Sequence, residues 1–347
     1  MFDDGIDYEA LEKTLADFEA FRKIQARKNK IYDNVRRIYK WTFPLTVIAF
    51  ILCSIPFLSP IFLVPAIIGS GLFIFDLIFY NFILKKPFDK FYDRFKEDVF
   101  PKAVKCLDAS LQADHTEKIS TTEIKNSLIF QNAIYSSQGE DMIWGKIGNI
   151  DLRFCELNLT RRKFSIWLLL GTFLGSLVLI FFGEVGIETH KEVRLFKGLF
   201  FHADFHKSFR GSIILCPKKS GKFSVYTKSY HKGRSKVIMG NVNFDQKYDV
   251  YASNPLMANY VLTPLFMEQM MILDEQSTAN EPVVATFHNG KMYLGVPHEK
   301  DFFECDIDKG IPDVESFKAF VEEVRIVEKI LIHLDQNVRI WGNKATI

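Results

Sequence analysis

The sequence predicts an α+β protein: a long N-terminal helix and a two-helix transmembrane hairpin, followed by a mostly antiparallel β domain with two or more packed helices. Three observations predict it. The 44 residues between Lys40 and Lys85 carry one formal charge, Asp76. Beyond residue 120, short alternating apolar and polar runs are separated by Gly, Pro, Asn and Lys, the punctuation of strands and turns. Two stretches with helical spacing, 255–273 and 314–334, interrupt those runs.

The hairpin follows from length. A hydrocarbon core about 30 Å thick needs about 20 apolar residues per helix, so residues 41–84 make two spans. The break falls at Ile55-Pro-Phe-Leu-Ser-Pro60, where the prolines remove backbone donors and suit a turn. Residues 22–40 hold eight basic side chains against one acid, Asp33, and Lys85, Lys86 and Lys90 follow the second span. Lys and Arg collect on the cytoplasmic side of spans, so both ends of the hairpin are expected there. The expected topology is multi-pass, with the N-terminus and main domain cytoplasmic. Phe, used 34 times, adds to the membrane-like composition, while a formal charge of +2 excludes nothing. The cysteines, Cys53, Cys106, Cys155, Cys216 and Cys305, are odd in number and widely spaced, which reads as reduced thiols.

Five regions result. Residues 1–40 form an amphipathic helix with Leu11, Leu15 and Phe18, then Ile31, Val35 and Ile38, on one stripe. Residues 41–84 are the hairpin. Residues 85–115 hold a juxtamembrane helix whose buried set is Phe91, Phe95, Val99, Val104 and Leu107. Residues 116–310 are the α+β domain, with strands at 141–147, 150–159, 199–205, 212–215, 222–226, 248–251, 283–287 and 292–296. Its sheet is read as antiparallel and able to close partly into a barrel. Pro264 kinks or splits the 255–273 helix. Residues 311–347 hold the C-terminal helix.

Several separated stretches, in order, carry a resemblance: Phe196-Lys-Gly-Leu-Phe-Phe-His-Ala-Asp204-Phe-His-Lys207, Tyr248-Asp-Val-Tyr251, Asn254-Pro-Leu-Met-Ala258, Leu262-Thr-Pro264-Leu-Phe-Met267-Glu268 and Gly290-Lys-Met-Tyr293. Together with Ser127-Leu-Ile-Phe130, Gly139-Glu-Asp141 and Gly145-Lys-Ile-Gly148 they resemble the bacterial membrane-protein family catalogued as domain of unknown function 3137. The resemblance implies a paired N-terminal membrane segment and a cytoplasmic domain. It implies no activity. Where similar proteins have a short polar connection before the Phe-Lys-Gly-Leu-Phe strand, this chain has an apolar insertion at 164–183, twenty uncharged residues. A single span there would oblige the short return to Arg194 to carry Glu184, Glu188, Lys191 and Glu192 through lipid. The preferred reading is a re-entrant or surface-lying hairpin. The competing one is a domain split across the membrane, whose charge pattern fits Arg161, Arg162 and Lys163 preceding an acid-leaning sequel.

Candidate chemistry is sparse. His202, Asp204 and His206 alternate along a strand and would project from one face, which could offer a metal two imidazoles and a carboxylate. The plainer reading is a strand edge with an Asp204–Lys207 pair. Asp76 is an intramembrane carboxylate, costly unless used. Lys218-Lys-Ser-Gly221-Lys222 is no phosphate loop, because Cys216 and Phe223 stand where glycine and a hydroxyl residue are required. No cofactor is implied.

From Phe205 to Phe244 there is no acid, while nine basic residues occur. Lys218, Lys219, Lys222, Lys228, Lys232, Arg234 and Lys236 form the candidate surface. Anionic headgroups, nucleic acid and plain solvation compete to explain it. A tether to the bilayer favours the headgroups, and no nucleic acid is expected. The sequence therefore predicts a membrane-anchored, non-enzymatic protein that binds an unknown protein partner or the anionic membrane surface. The alternative is a subunit of a transport or enzymatic membrane complex using Asp76 or the His202/Asp204/His206 face.

Overall fold

The alternating runs pair into one sheet. The structure, a computed structural model, describes residues 9–10, 12–20, 22–23, 34, 37, 71, 93–108, 110–130, 134–167, 190–206, 211–218, 232–277, 281–299 and 314–336. Its strands are β1 (Gln112–Asp114), β2 (Ser136–Ile147), β3 (Ile150–Phe164), β4 (His190–Asp204), β5 (Ser212–Pro217), β6 (Ser235–Val237), β7 (Tyr248–Ala252), β8 (Val284–His288) and β9 (Lys291–Pro297). They lie in the order β1-β2-β3-β4-β9-β8-β5-β7-β6, with every pairing antiparallel. Among the described residues the two edges, β1 and β6, do not pair with each other, so the nine strands form an open sheet there. Both edge strands are three residues long, which leaves little unpaired backbone to recruit another strand.

The helices described include α1 (Phe100–Leu107), α2 (Thr121–Asn126), α3 (Val242–Lys247), α4 (Pro255–Val261), α5 (Pro264–Gln276) and α6 (Val314–Gln336). Pro264 splits the expected 255–273 helix. It opens α5 immediately after the N-cap Thr263, whose Oγ1 accepts from the Phe266 amide at 3.3 Å, and α4 and α5 meet at 69°. No single helix among the described residues is long and apolar enough to cross a membrane. The hairpin expected at 41–84, with Asp76, lies outside the described residues apart from Gly71.

The strand period sorts the core into two faces. Phe154 and Phe201 are register partners whose rings stack at 4.8 Å, and Phe154 reaches Phe320 of α6 at 6.1 Å. On the same face Phe287 meets Phe266 of α5 at 5.6 Å. The next residues along, Cys155 and Phe200, point the other way and pack with Ile124, Ile129 and Phe130 of the α2 segment. Phe130 lies 5.3 Å from Phe196 and 6.0 Å from Phe200, ring to ring. That segment is held by the N-cap Ser120, which accepts from the Glu123 amide at 3.2 Å, and by Thr286, whose Oγ1 donates to the Ser127 carbonyl at 2.5 Å. Helices α5 and α6 thus pack on one face and the α2 segment on the other.

One glycine is obligatory. At Gly198, φ is +150°, and a Cβ would stand 2.1 Å from the Val296 carbonyl oxygen. Only glycine lets β9 approach β4 so closely.

The chain divides into two compact units: Met1–Ile6 with Leu107–Phe302 and Ser316–Ile347, and Asp7–Cys106 with Phe303–Glu315. The first contains the sheet. In the second, Leu15 and Phe18 of the helical stretch 12–20 are buried, as are Phe95, Val99, Phe100, Ala103 and Val104. Phe18 meets Phe95 edge-on at 5.3 Å, so the described part of the N-terminal stripe packs within the chain.

Candidate functional site

The sheet has one projection. β2 flanks β3 as far as Thr160, and β9 flanks β4 only from Gly198 onward. Beyond Thr160, among the described residues, β3 and β4 run on as a two-stranded arm, pairing Arg161 with Val193, Arg162 with Glu192, Lys163 with Lys191 and Phe164 with His190. Four residues per strand at about 3.3 Å each make an arm of roughly 13 Å. Leu195 is the extra residue of a bulge between the Leu159–Phe196 and Thr160–Arg194 pairs, which adds twist where the arm leaves the sheet.

Charges at the base fix the arm. The Arg162 guanidinium lies 3.7 Å over the Tyr135 ring and bonds the Tyr135 hydroxyl. Arg194 pairs with Glu299 at 2.7 Å, and Lys197 donates to the Glu299 carbonyl at 3.1 Å. At the tip, Phe164 and Ile166 are each 57% exposed and Trp167 is 81% exposed. The chain turns helical at Ile166 and Trp167. The remainder of the apolar insertion, from Leu168 to Gly183, lies outside the described residues. Its flanks, however, are register neighbours.

The acid-free basic stretch is partly neutralised by acids from elsewhere in the sheet. Lys236 pairs with Asp249 at 2.8 Å and Lys218 with the same carboxylate at 3.4 Å, while Lys218 also bonds the Asp245 carbonyl. The hydrogen bond to Asp249 raises the Lys236 pKa. Arg234 donates from Nε to Ser212 Oγ at 2.6 Å, and Lys232 stands exposed in a turn. Lys219, Lys222 and Lys228 lie outside the described residues. Pairing of β7 with β5 and β6 brings Asp249 between Lys218 and Lys236.

The three candidate metal ligands do not converge. β4 ends at Asp204, so His206 leaves the strand alternation, at φ +52°. His206 instead bonds Asp151 through Nε2 at 2.6 Å, a bond that lowers the Asp151 pKa. Asp204 pairs with Lys291 at 3.2 Å, and Lys207 lies outside the described residues. Burial opposes ionisation of Asp204, but the His206 amide and Lys291 outweigh it and hold the pKa low. His202 is fully buried, with Nδ1 3.2 Å from Arg153 and 3.3 Å from Glu123. Burial, helped by Arg153 and Lys291, pushes its pKa down to about 3. The neutral ring accepts from Arg153, and Glu123 answers Arg153 at 3.0 Å. Among the described residues no group of three or more side chains could hold a metal ion.

His202 instead belongs to a row that the sequence did not reveal. Arg153, His202, Tyr293 and Thr286 are successive register partners across four strands. Tyr293 stacks within 4.9 Å of His202 and 5.3 Å of His288. Cys155 and Cys216 are free and buried, and burial pushes both thiols up to about 12, which leaves them poor nucleophiles.

The fold defines the class: an α+β domain on an open antiparallel sheet, bearing one apolar-tipped arm. Its residues 194–336 match the family described as "Protein of unknown function (DUF3137)". The match begins at Arg194, at the base of the arm. No curated protein matches the chain. Among solved structures, the chain is similar to the mycobacterial trehalose monomycolate transport factor A, TtfA, at 8% identity over 67% of this chain and 94% of that one, with a TM-score of 0.29. A likeness that low carries no argument.

Proposed function

We propose that the chain is a bacterial inner-membrane protein without catalytic activity, whose α+β domain is held on the cytoplasmic face and binds the anionic membrane surface. In this reading a long N-terminal helix leads into a hairpin at 41–84 that crosses the bilayer twice, and the basic flanks at 22–40 and 85–90 keep both ends inside. One observation supports seating the domain against the bilayer. Phe164 and His190, which bound the apolar insertion, are antiparallel register partners, and Phe164, Ile166 and Trp167 present apolar surface at that point. An apolar run whose two ends leave one strand pair returns to the side it entered from, as a re-entrant or interfacial hairpin does. Trp is favoured at the headgroup boundary, and Arg161, Arg162, Lys163 and Lys191 surround the tip with the charge that anionic lipid attracts. The arm favours the membrane over a protein partner as its ligand.

The test is topological. Reporters fused after residue 163 and after residue 192 of the full chain should both register as cytoplasmic. Opposite locations would establish a third span and overturn the reading.

A further inference from the structure

The two faces of the arm differ. Along the ribbon, Arg162 and Glu192 are opposed on one face, which also carries Thr160, Arg194, Phe164 and His190. There each charge has an answer: Arg162 lies on Tyr135, Arg194 meets Glu299, and Glu192 accepts from Thr160 at 3.4 Å. The other face carries Arg161, Val193, Lys163 and Lys191. Lys163 and Lys191 are direct cross-strand partners, and both are exposed. Like charges directly opposite each other destabilise an antiparallel pair. None of Arg161, Lys163 and Lys191 has an ion-pair partner among the described residues. Neighbouring side chains at these spacings lie about 5–7 Å apart, within reach of one anion.

We propose that Arg161, Lys163 and Lys191 form a seat for the phosphates of anionic phospholipid headgroups. The proposal rests on the membrane reading of the arm and adds to it which face of the arm meets the lipid and what chemistry it recognises. Charge complementarity carries it, together with position. The cations stand immediately before an apolar tip, so their anion lies at the edge of an apolar medium, where a lipid phosphate lies and a dissolved phosphate does not. Long basic side chains reach such a level while their stems stay in apolar surroundings. The opposite face, matched and pinned to the domain, holds the seat in orientation.

The experiment uses the full chain with p-benzoylphenylalanine at position 166, reconstituted into vesicles of phosphatidylcholine alone or of equal parts phosphatidylcholine and phosphatidylglycerol, and reads lipid adducts after irradiation. Adducts are expected in both, enriched in phosphatidylglycerol at low salt. Each lysine removed should lower that enrichment about fivefold. Lys163→Glu alone creates an opposite-charge pair with Lys191 and so stabilises the ribbon, yet it should still lose enrichment; Lys163→Arg with Lys191→Arg should retain it. Inorganic phosphate should compete no better than chloride at equal ionic strength, and selective competition by phosphate would point to a free-anion site and overturn the lipid assignment. Absence of adducts in every vesicle would overturn the membrane reading itself. Adducts without lipid preference, or a preference that Lys163→Glu with Lys191→Glu leaves intact, would overturn the seat alone.

Discussion

Acid should loosen this fold through His202. The side chain is fully buried and its pKa stands at about 3, against 6.5 for a free imidazole. As pH falls through 6.5 the unfolded chain takes up a proton that the folded chain refuses, so stability declines from there down to about pH 3. Between pH 7 and pH 5 the two pKa values give a loss of about 2 kcal/mol from this residue. For a unit of this size that corresponds to roughly 4–8 °C in Tm. His202→Phe removes the proton site, keeps a ring against Tyr293 and leaves the Arg153–Glu123 pair intact at 3.0 Å. Thermal unfolding of the full chain at pH 7 and pH 5 should therefore show a smaller pH-induced drop in His202→Phe than in wild type, by about that amount. His288, also lowered by burial, is unchanged in both proteins and keeps a residual drop. Equal drops in the two proteins would refute the assignment.

Three further outcomes are expected. Gly198→Ala drives a Cβ to within 2.1 Å of the Val296 oxygen, whereas Gly148→Ala, at φ +59° with nothing within 4 Å, meets only backbone strain of about 1–2 kcal/mol; unfolding midpoints should separate the two by more than that strain. Glu323→Ala leaves buried His298 without its 2.8 Å partner, which should cost about 1–3 kcal/mol and speed proteolysis of α6, with Glu323→Gln milder in both readouts. Cysteines introduced at residues 10 and 100, in a background without native cysteines, should resist a membrane-impermeant thiol reagent in intact cells, and ready labelling of either would reverse the proposed orientation.

The buried centre of the sheet was legible because burial on one or both faces writes its period into the residues. The runs at 141–147, 150–159, 212–215, 248–251 and 292–296 each fall inside a strand, and Pro264 marks the break between α4 and α5. What stayed hidden has physical causes. β1 and β6 are too short to show a period, and α2 and α3 are six-residue helices with N-caps at Ser120 and Asn241. The arm was invisible because Arg161 to Lys163 with Lys191 and Glu192 put charges on both faces, so nothing alternates. Neutralisation of Lys218 and Lys236 by Asp249 depends on pairing between strands distant in sequence, which charge counting along the chain does not detect. His206 was misjudged because the strand ends two residues before it. The apolar insertion itself was plain in the sequence; that its flanks touch was not.

That last feature makes residues 165–189 a connection between two paired strands. Phe164 and His190 face each other, so the intervening segment can be lengthened, shortened or exchanged without moving a single register in the sheet. A two-residue Asn-Gly link in place of 165–189 is the connection that an antiparallel strand pair accepts most readily. The same domain could thus exist in relatives with or without an apolar tip. Natural variation in the proposed attachment to a surface would then be concentrated in one replaceable cartridge, while the sheet beneath it stays the same.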